Sequence, residues 1–174
     1  MKLLYLKKSH LRINRKKVAM KHLLLFLLLT SKLLSAPNLE QFTLPEDLHH
    51  FIYYLNKAFS KKTSSITIST SNFHLTQLHN TIIQNRKSHF KLFISSNTAP
   101  NRLIQSLALY PHISIFLCKE ISQNSIYFDH KILKSKRTFS YEKLSKYRQT
   151  IQVQKLTRKE KKALIFLSKQ CYSY

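Results

Sequence analysis

Asp129, His130 and Lys131 stand in line inside a strand-like apolar run at 125–133 (SIYFDHKIL). A carboxylate, an imidazole and an ammonium are the groups that proton transfer and phosphate recognition use. Whether they can act together depends on spacing. In an extended strand the side chains alternate, so Asp129 and Lys131 would share a face, with His130 opposite beside Ile126, Phe128 and Ile132. Lys131 is then the candidate phosphate ligand and His130 a buried, hydrogen-bonded residue. Lys134, Lys136 and Arg137 follow closely and complete a candidate phosphate-binding patch. Tyr141 and Tyr147 interleave with Lys143, Lys146 and Arg148, a mixture able to stack bases and neutralise phosphates. The same mixture also occurs on plain solvated helices.

The other candidate chemistries are poorly supplied. His49 and His50 are adjacent, and His74 and His79 are five apart, so neither pair has the i,i+4 spacing of a helical zinc site. No metal is expected. Glycine is absent from all 174 residues, which excludes Gly-rich phosphate loops and dinucleotide fingerprints, and no cofactor is expected. Cys118 and Cys171 lie in no metal-spaced or Cys-x-x-Cys pattern. Outside the cytoplasm they could pair; otherwise Cys118 is a buried thiol and Cys171 a loose one.

Alternating elements must position these groups. A helix is predicted at 45–59, where Leu48, Phe51, Ile52, Leu55 and Phe59 share a face. Strands are predicted at 64–70, 90–95, 112–118, 125–133 and 150–154, and helices from 76, at 101–110, 141–147 and 158–169. Strand–helix units joined by short loops indicate an α/β domain, with a mostly parallel sheet flanked by helices.

The formal net charge is +23. Residues 1–37 hold nine Lys/Arg and no acid, which leaves 21 basic and seven acidic residues beyond them. So basic a domain favours nucleic acid or anionic lipid as a partner. The first 36 residues read as a basic leader with a signal-like apolar run at 23–29, ending at Ala36, and 37–174 as the domain. A run this short argues against a permanent membrane span. Export is expected, with an uncleaved inner-membrane anchor as the alternative and Met20 as an alternative start.

In the order of its elements from 48 to 169 the chain resembles one half of the phospholipase D-like superfamily, especially its small exported bacterial nuclease-like members. The segments that carry the resemblance are SSITIST, HFKLFISSNTAPNRLIQSLALYPHISIFLC, SIYFDHKIL and QTIQVQKLTRKEKKALIFL. The resemblance implies a single half-domain and a signature of His-x-Lys, then Asp after four residues, then Gly-Ser after six more. Two such copies meet at one metal-independent site, here across a homodimer. Setting Lys131 on the signature's lysine puts Asp129 at the histidine, Lys136 at the aspartate and Lys143-Leu144 at Gly-Ser. Only the lysine then survives. The resemblance with these departures implies a catalytically degenerate protein that binds anionic phosphodiesters. A divergent homodimeric phosphodiesterase and an envelope structural or membrane-surface protein are the alternatives.

Overall fold

Short β-branched and aromatic runs build most of this molecule, and their alternation decides which faces are buried. A computed structural model describes residues 40–62, 65–97 and 100–174. The leader and its apolar run lie outside the described residues. The chain begins with β1 (Gln41–Leu44) and turns through the cis Leu44–Pro45 bond into α1 (Leu48–Ser60). There follow β2 (Ser65–Thr70), β3 (Phe73–His74), a short 3-10 turn and α2 (His79–Gln84). Next come β4 (His89–Ser95), α3 (Arg102–Leu107), β5 (Ile113–Cys118), β6 (Asn124–Phe128) and β7 (Lys131–Ser135). The chain ends with β8 (Phe139–Ser140), α4 (Tyr141–Lys146), β9 (Gln149–Lys155), α5 (Arg158–Lys169) and β10 (Cys171–Ser173).

Eight strands form one sheet in the order β1-β9-β7-β6-β2-β4-β5-β10, and β3 pairs with β8 apart from it. The expectation of a mostly parallel sheet is corrected. Only β2–β4 and β4–β5 are parallel in the large sheet, and its other five pairings are antiparallel. α2 lies between β2 and β4 and α3 between β4 and β5, the helical crossovers that parallel neighbours need, whereas a two-residue turn joins β6 to β7 and imposes antiparallel pairing.

The largest correction falls on the run at 125–133. It is two strands, not one. Phe128 pairs with Lys131, and Asp129 and His130 form the two-residue turn between them. Their φ values of 45° and 58° are both left-handed, as a type I′ hairpin turn requires. With no glycine available, an Asp-His pair takes this backbone, and both types tolerate it better than branched residues do. His130 is consequently exposed, not a core residue.

One face of the sheet carries the apolar core. Ile66, Ile68, Phe90, Leu92, Ile126 and Leu133 meet Phe51, Leu55 and Phe59 of α1, Ile82 of α2 and Leu107 of α3. The opposite face is mixed: Thr67, Ser69 and Ser125 are buried there beside Phe93 and Ile132. The α5 side chains Ala163, Leu164, Phe166 and Leu167 border a groove of about 360 Å³ with Ser69, Ser125 and Tyr127. No α5 residue is fully buried. A capping box between Thr157 and Glu160 starts this helix. The helix is held at its beginning by an ion pair from Lys134 to Glu160, and just past its end by a disulfide between Cys118 and Cys171. No described helix is long and apolar enough to cross a membrane.

Candidate functional site

The β6–β7 hairpin sends its two ends to opposite edges of the sheet. Its turn lies at the edge where β2 and β4 begin; Asn124 and Ser135 lie where β2 ends, because Ser69 pairs with Ser125 and Asn124 with Ser135. Lys131 and Lys136 are therefore separated by five residues of strand, roughly 16 Å. The candidate patch of Lys131, Lys134, Lys136 and Arg137 is divided between these two edges.

At the first edge, Asp129 and Lys131 line a pocket of about 420 Å³ with Glu40, His50, Tyr54 and Lys57. Phe42, Ala58 and Phe128 add apolar surface to it. The Tyr54 hydroxyl is buried and makes no hydrogen bond of ordinary geometry. Burial, then the neighbouring Glu40 carboxylate and the charge of Asp129, push its pKa well above the phenolic range. Tyr54 is thus a neutral phenol at any physiological pH. Two carboxylates in this pocket also oppose the approach of a phosphate to Lys131.

At the second edge a groove of about 560 Å³ is lined by Ser122, Asn124, Lys134, Lys136 and Thr150, with Gln152 and Gln154 beside them. A network of amides and hydroxyls adjoins it through Asn124, Ser135 and Lys136. The Asn124 side-chain oxygen accepts from the Ser71 amide at 3.1 Å, and the one proton of Thr70 Oγ1 serves either that oxygen at 2.8 Å or the Asn72 carbonyl at 2.9 Å. Buried Gln149 accepts through Oε1 from the Lys136 amide at 3.1 Å. The one proton of Ser135 Oγ serves either the Arg137 carbonyl at 2.7 Å or Gln149 Oε1 at 3.1 Å. These bonds fix the backbone that presents Lys136 and Arg137, whose side chains are exposed. Gln149 Nε2 is buried without a partner. Lys134 is committed to Glu160 at 2.5 Å. Partial burial works to raise the Glu160 pKa, but the Lys134 hydrogen bond, those from Thr157 and the Lys134 charge hold it at about 2.

Among the described residues, no histidine, cysteine or carboxylate lines this groove. It can bind an anion through ammonium, amide and hydroxyl groups, and it lacks an imidazole or carboxylate to act as base or acid. Among the described residues, no group of three His, Cys, Asp or Glu could hold a metal ion. Asn124 and Gln149 escaped sequence reasoning because they are uncharged and sit at strand beginnings, where polar residues are ordinary. The available signal was Asp129: a nine-residue run with an acid at its middle exceeds the usual strand and has poor β propensity there.

No protein-family model matches the chain, and no curated protein sequence matches it. Solved structures do. NucT from Helicobacter pylori gives a TM-score of 0.67 at 15% identity, over 78% of this chain and 98% of that one. Nuc from Salmonella typhimurium, a phospholipase D family member, gives 0.62 at 12% identity, over 79% and 97%. TrmBL2, an archaeal chromatin protein with a novel mode of DNA binding, gives 0.58 at 13% identity, over 97% and 68%.

Proposed function

From a chain with the phospholipase D-like fold, the fold of phosphodiesterases and nucleases, we propose a protein that binds nucleic-acid phosphodiesters without hydrolysing them. The observation that carries this reading is the Asp129 turn. If Asp129, and not Lys136, corresponds to the signature's aspartate, the signature's own spacing lands on Ser122 for the histidine and Asn124 for the lysine. It lands on Lys136-Arg137 for Gly-Ser. Ser122, Asn124 and Lys136 all line the one groove at the second edge. That edge is where β2, β4 and β5 end, the side on which open α/β sheets collect ligands.

Each replacement removes a catalytic part and leaves a binding part. A serine with no base beside it is a poor nucleophile at neutral pH, and it cannot protonate a leaving oxygen as an imidazolium does. Loss of single catalytic groups commonly costs several orders of magnitude, and here both members of the His-x-Lys pair are absent. The bulk of Lys136 and Arg137 replaces a floor of Gly-Ser, and with it brings two positive charges. The groove keeps affinity for a phosphodiester and loses the means to break one.

Export belongs to the same reading. A signal-like segment precedes the domain, and Cys118 and Cys171 are joined in a disulfide, a bond that persists in oxidising compartments.

The test is titration of residues 37–174 with single- and double-stranded DNA across salt concentrations, beside a metal-free cleavage assay. The assay uses nucleic acid, phospholipid and a chromogenic diester. Binding that weakens steeply with salt, with no turnover, is the expected result. Absent or salt-indifferent binding overturns the nucleic-acid assignment. Turnover that disappears in Lys136→Ala restores the enzyme.

A further inference from the structure

Beside the groove, three cations gather on one aromatic ring. The Arg137 guanidinium carbon lies 4.5 Å from the centroid of the Tyr147 ring, with Lys143 Nζ at 5.7 Å and Lys146 Nζ at 5.9 Å. The ring is supplied by the residue just past α4, and Arg137 by the turn that leaves β7. Ser135 fixes that turn: its hydroxyl accepts from the Arg137 amide at 3.1 Å and can donate to the Arg137 carbonyl. Gln149 holds the preceding amide of Lys136.

Mutual repulsion should scatter three cations unless something draws them together. The ring quadrupole offsets part of that repulsion. The Glu142 carboxylate lies 4.0 Å from Lys143 and is largely exposed to water. The cluster therefore has more positive charge than its own carboxylate neutralises, next to a groove that already suits a phosphodiester.

We infer that Arg137 and Tyr147 form a stacking platform for a base of single-stranded nucleic acid, with Lys143 and Lys146 gripping the phosphates on either side. The inference rests on the reading of the adjacent groove as a nucleic-acid site, and it adds the kind of strand bound. A planar guanidinium on an aromatic ring offers a π surface that any unpaired base can cover. A duplex hides the faces of its bases and can reach only the charges. Recognition is sequence-independent, because the contacts on hand are π faces and ammonium groups, not groups arrayed to read base edges. The strand runs from the groove over Lys136 and Arg137, which are consecutive in the chain, onto Tyr147.

Fluorescence anisotropy with short oligothymidine and a DNA duplex of equal length tests this on residues 37–174. The wild-type chain should prefer the single strand. Tyr147→Leu should weaken single-strand binding roughly tenfold or more and leave duplex binding within about twofold. Arg137→Lys keeps the charge and removes the planar face, so it should erase the preference without changing the salt dependence. Tyr147→Phe should retain the preference, and thermal melts identify any variant that has lost its fold. Lys143→Ala with Lys146→Ala should reduce the slope of log K against log salt by about 1.4, two phosphates' worth on a single strand. A wild-type chain that binds DNA but favours duplex overturns this inference, as do a folded Tyr147→Leu and an Arg137→Lys that both bind like wild type. In either case the groove reading stands. A wild-type chain that binds neither form overturns both.

Discussion

His130 holds φ at 58° and Asp129 at 45°, two successive left-handed residues with no glycine to share the strain. Each left-handed residue with a Cβ costs about 1 kcal/mol relative to glycine. The His130 side chain is exposed, and among its backbone bonds its carbonyl accepts from the Leu156 amide at 2.7 Å. His130→Gly should therefore keep the turn and stabilise the domain by about 1 kcal/mol in urea unfolding. A loss of stability would mean that the imidazole supports the fold, as a core histidine would. This turn also explains why the candidate site was only half legible in the sequence. Alternation along one continuous strand puts Asp129 and Lys131 on a shared face; a turn keeps them as neighbours but at the far edge from Lys136 and Arg137. Residue types told which groups could bind phosphate, while two backbone angles decided which of them meet.

Among the elements, α5 was the most legible and is the least buried. Its bounds follow from the Thr157–Glu160 capping box and the run of helix formers after it, yet none of its residues is fully buried. The strands β1, β3, β8 and β10 escaped the sequence reading because each has four residues or fewer, too short to display a period. Since α5 packs loosely, its two tethers carry unusual weight. The Glu160 carboxyl has a folded pKa of about 2, below its unfolded value near 4.5. Its ionisation therefore favours the folded state fully above pH 4.5, and that contribution is lost as pH falls toward 2. Glu160→Gln retains a capping side chain and removes the charge, so it should cost on the order of 1 kcal/mol at neutral pH. The difference from wild type should vanish near pH 2; a difference independent of pH would mean that the ion pair contributes nothing. At the other end, the disulfide joins residues separated by 53 positions. Chain entropy alone assigns such a crosslink about 4 kcal/mol. Cys118→Ser with Cys171→Ser should lose roughly that much in urea unfolding, and reducing the wild type should reproduce the loss. Equal stability of the oxidised and reduced forms would contradict the assignment.

For the molecule as a whole, the charge matters less by its sum than by its division between two edges. Past residue 37 there are 21 basic and seven acidic residues, so a polyanion is attracted from any side. At the hairpin edge Lys131 pairs in register with Lys155, but Asp129 and Glu40 stand near by. At the groove edge Lys136 and Arg137 are exposed, and Lys143 and Lys146 gather around Tyr147. The two edges lie roughly 16 Å apart along β7, about two Debye lengths at physiological salt. Charges that remote can steer a strand toward the protein without releasing counterions from it on binding. Lys131→Ala with Lys155→Ala should therefore slow association at low salt and leave the slope of log K against log salt unchanged. Lys136→Ala with Arg137→Ala removes the same charge and should reduce that slope by about 1.4 on single-stranded DNA. Stopped-flow association and equilibrium titration of the two double variants separate these effects. Equal loss of slope from both would mean that the strand crosses the whole sheet, and that the hairpin edge belongs to the binding surface after all.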